Sequence, residues 1–152
     1  MTQETARQPS TRLAAEAWES LFRAQVSLMR RFERDGDFAP LRPREYDVLF
    51  TLSLAEGRRL RLRELNEQVF MSQPSLSRMV DRLEQRGLVS REPAPDDARG
   101  VVVTLTGEGL ELQRQVGRQH VRSIGRYVGG ALDEDELRTL MALTTKLRTY
   151  RP

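Results

Sequence analysis

SQPSLSRMVDRLEQRGLVSREPAPDDARGVVVTLT, residues 72–106, contains the start, interior and end of one helix, followed by two short apolar runs. Ser72 can accept a bond from a free N–H as the N-cap, and Pro74 suits the first turn, where a missing N–H does no harm. Gly87 supplies a left-handed stop. Between them, apolar residues recur at helical spacing: Leu76, Met79, Val80 and Leu83.

The other face of this helix carries only short or charged side chains. At about 100° per residue it presents Pro74, Ser77, Arg78, Asp81 and Arg82. Two runs follow, 88–91 and 101–105, which we predict to be antiparallel strands. Two prolines interrupt residues 92–100, so that segment is predicted to be a long mobile tip. A helix with such a face, followed by a two-stranded ribbon, is a shape that could bind DNA.

The residues before Ser72 predict a second short helix that packs beside the first. An amphipathic helix is predicted from Leu13 to near Gly36, and another from Pro43 to Ala55. A very short strand at 60–62 and a two-turn helix at 63–69 follow. Two short helices joined by a tight turn make a helix-turn-helix, and the ribbon beside it is a wing.

Two more helices are predicted after the ribbon. Thr106 can cap a helix that runs to Val128, and Asp133 with Glu136 forms a capping-box-like pair before the last one. The predicted fold is mainly α with a small β-hairpin wing, in one compact domain. Its parts are a flexible N-terminus (1–10), a helical dimerisation region (11–35 and 107–150) and a winged helix-turn-helix region (36–106).

The composition excludes more than it identifies. The 152 residues carry a net charge of +3, and of the 25 basic residues all but Lys146 are arginine, which suits nucleic acid although codon bias explains it as well. The absence of cysteine excludes disulfides and thiolate metal sites. With His120 as the single histidine, a metal centre or a catalytic triad is hard to build. We therefore expect a cytoplasmic protein that is not an enzyme, without a metal, a cofactor or a membrane segment.

Residues 60–107 resemble the winged-helix core of the MarR family of bacterial transcriptional regulators. The likeness is carried by three motifs in this sequence: Val80–Glu84, Arg86–Val89 with Arg91, and the wing residues Asp97, Arg99, Val103, Leu105 and Thr106. It extends more weakly over the flanking helices. Arg63 and Asn66 depart from the family, which commonly has a small capping residue and a small apolar residue there.

The resemblance implies that the helix after Ser72 enters the major groove of double-stranded DNA. Gln73 could pair with adenine, Arg78 with guanine, and Pro74 could touch a thymine methyl. Arg82 is better placed for phosphate, and Arg99 would enter the minor groove, with Asp97 holding it in shape. We expect Asp81 to pair with a nearby arginine. The predicted DNA-binding residues are Ser72, Gln73, Pro74, Ser75, Ser77, Arg78, Arg82, Asp97 and Arg99.

The resemblance also implies a homodimer that binds a pseudo-palindromic operator, acts as a repressor and is released by a small aromatic or phenolic effector. Candidate effector-binding residues are Trp18, Phe22, Tyr46 and Phe50. We expect His120 to be a packed or interface residue, with no second titratable group to make it a pH switch. The alternative hypothesis is a winged-helix module that binds another protein, with weak or no DNA binding.

Overall fold

The structure, a computed structural model, describes residues 10–152. The predicted flexible N-terminus lies outside the described residues except for Ser10, whose hydroxyl caps the first helix. Six helices and three strands follow one another as the sequence predicts. They are α1 (Thr11–Arg34), α2 (Pro43–Leu54), β1 (Arg59–Arg61), α3 (Leu62–Gln68), α4 (Gln73–Gln85), β2 (Val89–Ala94), β3 (Asp97–Leu105), α5 (Gly107–Tyr127) and α6 (Glu134–Thr149).

The three strands form one antiparallel sheet in the order β1-β3-β2. The prediction of a long tip at 92–100 is wrong, because the strands extend to Ala94 and Asp97 and leave only a two-residue turn. Pro93 is tolerated because β2 is an edge strand, where a missing N–H breaks no ladder. The register shifts between Pro93 and Ala94, and this irregularity accommodates the extra residues of β3.

The core lies between the short helices and the sheet. Five leucines that are 0 % exposed come from α2, α3 and α4, and each contributes about 1.5–3 kcal/mol by burial. They are Leu49, Leu52, Leu65, Leu76 and Leu83. The apolar face predicted for α4 is the buried face, and this burial fixes which side of the helix remains in solvent.

The first and last helices leave most of their apolar side chains uncovered. Helix α6 has no buried residue, and in α1 only Phe32 is buried. Trp18 is 65 % exposed and Met141 68 %. An isolated globular domain seldom leaves so much contiguous apolar surface in solvent. Within residues 10–152 none of the helices combines the length and apolar character required to cross a bilayer.

The first turn of α5 packs directly against the turn between α4 and β2. Thr106 caps α5, as predicted, with Oγ1 accepting from the Gly109 N–H at 3.0 Å, and the same hydroxyl donates to the Gly87 carbonyl at 2.7 Å. A Cβ at Gly109 would lie 2.0 Å from the Leu88 carbonyl oxygen. Only a residue without a side chain allows this approach.

We expect Gly109→Ala to destabilise the protein by about 3 kcal/mol or more, because the clash is with backbone rather than with a flexible side chain. Gly107→Ala is the matched control, since a Cβ there meets nothing within 4 Å. Chemical denaturation of both variants measures the difference. Equal stability of the two variants would contradict the packing described here.

Candidate nucleic-acid interface

The solvent-facing side of α4 is preorganised at its N-terminus by two serines. The Ser72 hydroxyl accepts from the Ser75 N–H at 3.4 Å and donates to the Ser75 hydroxyl at 2.8 Å. These bonds fix the first turn and leave its remaining N–H groups directed outward, at the positive end of the helix dipole. Gln73 and Pro74 are exposed beside them, so this turn can approach an anionic surface.

Two arginines on the same face have no acidic partner. Arg78 and Arg82 are exposed, and among residues 10–152 no carboxylate lies within 4 Å of either guanidinium. Ser77, which lies between them and the core, is half-buried. A guanidinium without a carboxylate partner keeps all five donors available for phosphate or for a base edge.

Arg91 joins α4 to the wing. Its guanidinium pairs with Asp81 and with Glu84 (2.7 Å). The backbone N–H of Arg91 also donates to Glu84 Oε1 at 3.0 Å. The prediction that Asp81 pairs with a nearby arginine is confirmed. The hydrogen bond from Arg91 holds the pKa of the Glu84 carboxyl below its ordinary value. We call Arg91 with Asp81 and Glu84 the Arg91 clamp, and it sets the position of β2 relative to α4.

The wing presents Arg99 near the start of β3, where the pairing with β2 is irregular. The Arg99 N–H donates to Asp97 Oδ1 at 3.0 Å, so Asp97 holds the backbone of Arg99 rather than its guanidinium. This start of β3 packs closely against Ala94, since a Cβ at Gly100 would lie only 2.9 Å from the Ala94 Cβ. The guanidinium of Arg99 is exposed and, within the part of the chain that the structure describes, forms no ion pair with a carboxylate within 4 Å.

The turn of the wing is tied back to the helix-turn-helix by Arg61. Its guanidinium pairs with Asp96, 35 residues away, and this hydrogen bond lowers the pKa of the Asp96 carboxyl. The Arg61 N–H donates to Glu64 Oε2 at 2.9 Å, at the start of α3. Nothing in the local sequence pattern indicated this pairing, because it depends on the register of β1 against β3.

All nine predicted DNA-binding residues thus fall on two neighbouring elements. Six belong to the cap and first turns of α4, Arg82 lies one turn further on, and Asp97 and Arg99 belong to the wing. Arg91 holds these two elements together. Sequence analysis placed Arg91 in a motif but did not identify it as the clamp.

A cavity of about 510 Å³ lies on the other side of the helix-turn-helix, between α1, α2 and α5. Tyr46 and Phe50 of α2 stack in it with ring centroids 5.9 Å apart. Burial raises the pKa of the Tyr46 hydroxyl and of the Asp47 carboxyl. The lining is largely apolar, with a few polar groups: Gln25, Met29, Phe38, Pro43, Arg44, Tyr46, Asp47, Phe50, Phe70, Met71, His120, Val121 and Ile124.

His120 lines this cavity and is held by an acid. Its Nδ1 lies 3.1 Å from Oδ2 of Asp37, a residue that is 1 % exposed, and Asp37 Oδ1 accepts from the Ser123 hydroxyl at 2.7 Å. A carboxylate can only accept, so the hydrogen sits on Nδ1 and leaves Nε2 without a bond to Asp37. The expectation that no second titratable group accompanies His120 is wrong, because Asp37 is 83 residues away in the sequence.

The structure separates the four predicted effector-binding residues into two pairs. Tyr46 and Phe50 line the cavity, whereas Trp18 and Phe22 stack on each other at 6.3 Å on the uncovered face of α1. Sequence analysis missed Arg44, which follows Pro43 in the first turn of α2 and faces the cavity. Its proximity to an aromatic pair was not visible in a helical pattern alone.

Comparison with known proteins gives a consistent family. A family model described as MarR family matches residues 39–100. The multiple antibiotic resistance protein MarR of Salmonella typhimurium is 33% identical over 84 residues, 55% of this chain and 58% of that protein. The matched region thus spans less than two thirds of that curated relative.

Solved structures extend the likeness over nearly the whole chain. AbsC, a MarR family transcriptional regulator from Streptomyces coelicolor, is 30% identical, with a TM-score of 0.74 and coverage of 94% of this chain and 99% of that one. Another Streptomyces coelicolor regulator of the family, solved in complex with DNA, is 29% identical with a TM-score of 0.76, and the match covers 95% of this chain and 92% of that one. NadR in complex with 4-hydroxyphenylacetate is 25% identical with a TM-score of 0.71, and the match covers 99% of both chains. The two Streptomyces coelicolor proteins are MarR family transcriptional regulators.

The clamp on Arg91 predicts a pH-dependent signal. Because the folded-state pKa of Glu84 is depressed, its bond to Arg91 persists above the ordinary value of 4.5 and is lost as the pH falls through the lower folded value. The amide resonance of Arg91 should therefore stay constant at neutral pH and shift only in that acidic range. In Glu84→Gln, which has no proton to gain, the transition should disappear from an NMR titration; its persistence would assign it to another group.

Proposed function

The chain belongs to the MarR family of transcriptional regulators, and on that premise we propose that it is a sequence-specific DNA-binding regulator acting on a pseudo-palindromic operator. The observation that carries this proposal is the division among its arginines. Arg61 and Arg91 are paired with carboxylates and hold the scaffold, whereas Arg78, Arg82 and Arg99 have no acidic partner within residues 10–152. The unpaired ones project from α4 and the wing.

Each unpaired group has a distinct proposed role. Gln73 and Arg78 read base edges in the major groove, where an amide matches adenine and a guanidinium matches guanine. Arg82 and the N–H groups of the first turn bind phosphate and set the register. Arg99 enters the minor groove, where narrow A·T-rich tracts attract a guanidinium.

We propose a homodimer because two helices have uncovered apolar faces. Leu143 and Leu147 on α6, and Leu13 and Trp18 on α1, are each more than half exposed. Burying them against a second copy removes an apolar surface that a monomer would leave in water. A two-fold axis then places the two α4 helices about one turn of DNA apart, which accounts for a palindromic operator.

The cavity beside α2 is the proposed effector site. Its aromatic lining, a volume of about 510 Å³ and a few converging polar groups are typical of a small-molecule site. Arg44 supplies donors for a phenolic or carboxylate group, and the Nε2 atom of His120 can accept from a phenol hydroxyl. NadR, a relative with this fold, was solved with 4-hydroxyphenylacetate. An occupant that favours a different spacing of the α4 helices would release DNA by a population shift.

The remaining expectations follow from this role. The proposed regulator is a repressor that works in the cytoplasm and carries out no catalysis. The alternative, a winged-helix module that binds another protein with weak or no DNA binding, gives no reason for three unpaired arginines on the face of α4 and the wing. We therefore favour DNA binding.

We expect Arg99→Ala to weaken operator binding by about 1–3 kcal/mol, because it removes a minor-groove guanidinium. Arg114→Ala, an exposed arginine on α5, removes the same charge away from the interface and should change little. Selecting bound sequences from random DNA supplies the operator, and fluorescence anisotropy at fixed salt measures affinity.

The same experiment tests the whole proposal. Enrichment of a palindrome, bound by a dimer and weakened by Arg99→Ala alone, supports it. Failure to enrich any sequence would refute sequence-specific binding, and an unchanged affinity of Arg99→Ala would refute the role given to the wing.

The effector site is tested with 4-hydroxyphenylacetate as the probe. Phe50→Ala should weaken its binding about tenfold, since an aromatic contact is worth about 0.5–1.5 kcal/mol beyond burial. Leu54→Ala, on the same helix but outside the cavity lining, is the control. Calorimetry measures both; equal affinities of the two variants would locate the probe elsewhere, and no binding by the unchanged protein would refute a phenolic effector of this kind.

A further inference from the structure

A second concave surface, distinct from the effector cavity, lies along the polar side of α1. It has a volume of about 560 Å³ and is built from four arginines of α1 and the ring of Tyr127 at the end of α5. The arginines are Arg23, Arg30, Arg31 and Arg34. We refer to these five residues as the α1 groove. The groove lining contains no acidic side chain.

The charge of the α1 groove is not neutralised within the chain. Arg30, Arg31 and Arg34 have no carboxylate within 4 Å among residues 10–152, and Arg23 makes only an exposed pair with Glu19. Like charges three and four residues apart on a helix repel one another, so this arrangement destabilises α1 when it is empty. A bound anion would remove that repulsion.

Asp35, the acid that follows Arg34, is already occupied. Asp35 pairs with Arg126 and accepts from the Tyr127 hydroxyl at 2.6 Å. The Arg126 and Arg31 guanidinium carbons lie 4.6 Å and 5.4 Å from the centre of the Tyr127 ring. The ring therefore holds Arg31 in place by a cation–π contact, while Asp35 cannot neutralise it.

The α1 groove lies on the side of α1 away from the effector cavity. At about 100° per residue, the groove arginines lie on the opposite side of α1 from Gln25 and Met29, which line the effector cavity. Trp18 lies on the same side as Gln25 and Met29, opposite the groove arginines. A partner that packs on the Trp18 side of α1 would leave the groove open.

We propose that the α1 groove binds a small anion with two or more linked phosphate groups. A guanidinium fork matches two phosphate oxygens, and one phosphate can accept such forks from few arginines at once. Three unpaired guanidiniums spread over residues 30–34 therefore fit a di- or triphosphate better than a single phosphate or carboxylate. A nucleoside triphosphate and inorganic polyphosphate share this chemistry.

The test is calorimetric titration of the full-length protein at low salt with orthophosphate, pyrophosphate, tripolyphosphate and ATP. Affinity should rise from orthophosphate to tripolyphosphate. Arg30→Gln combined with Arg34→Gln should weaken tripolyphosphate binding about tenfold to a hundredfold through the loss of charge-assisted hydrogen bonds. The matched control, Arg12→Gln combined with Arg114→Gln, removes two exposed arginines outside the groove and should change it little.

The outcomes separate the sources of the ligand from the failures of the proposal. If ATP and tripolyphosphate bind with equal affinity, the groove contacts only the phosphates. If ATP binds more tightly, the groove also contacts the nucleoside. Equal weakening in the control variant, or no preference for linked phosphates, would overturn the proposal. Polyglutamate binding as tight as that of tripolyphosphate would also overturn it, because the groove would then fit an acidic protein. Dimer loss in the groove variant, with no phosphate binding by the unchanged protein, would overturn it as well, because the groove would then be part of the dimer interface.

Discussion

The approach of α5 to the Leu88 carbonyl is the contact on which the rest of the structure depends. It brings the end of α4, the start of β2 and the first turn of α5 to one place, where the Thr106 hydroxyl bridges them. Backbone lies against backbone there, so neither side can yield by a change of rotamer. In the proposed dimer, a displacement of α5 would therefore carry α4 with it.

Acidic residues decide what the arginines do. Glu45 pairs with Arg86 at 3.2 Å, Asp81 and Glu84 pair with Arg91, and Asp96 pairs with Arg61. In each case the ion pair joins two elements that are separate in sequence. Arg78, Arg82 and Arg99 are outside this set, as are Arg30, Arg31 and Arg34 of the α1 groove, and the overall charge of +3 does not reveal which arginines are paired.

Local signals predicted the fold well because helix caps and apolar spacing act within a few residues. The Ser72 cap, the apolar face of α4 and the Thr106 cap were predicted in this way. The extent of the wing strands was not, since Pro93 is compatible with a strand only at a sheet edge. The pairing of His120 with Asp37 was also missed, because no periodic pattern connects residues 83 positions apart.

As the proposed dimer, the regulator would depend on its own abundance, because the apolar faces of α1 and α6 are uncovered in a single copy. Helices of this kind gain most of their stability from packing, so in the proposed dimer the folding of α6 and the first half of α1 is linked to association. By mass action, dilution would then loosen these helices before it loosens the leucine core. Occupancy of an operator would consequently vary more steeply than in proportion to the amount of protein made, without any ligand.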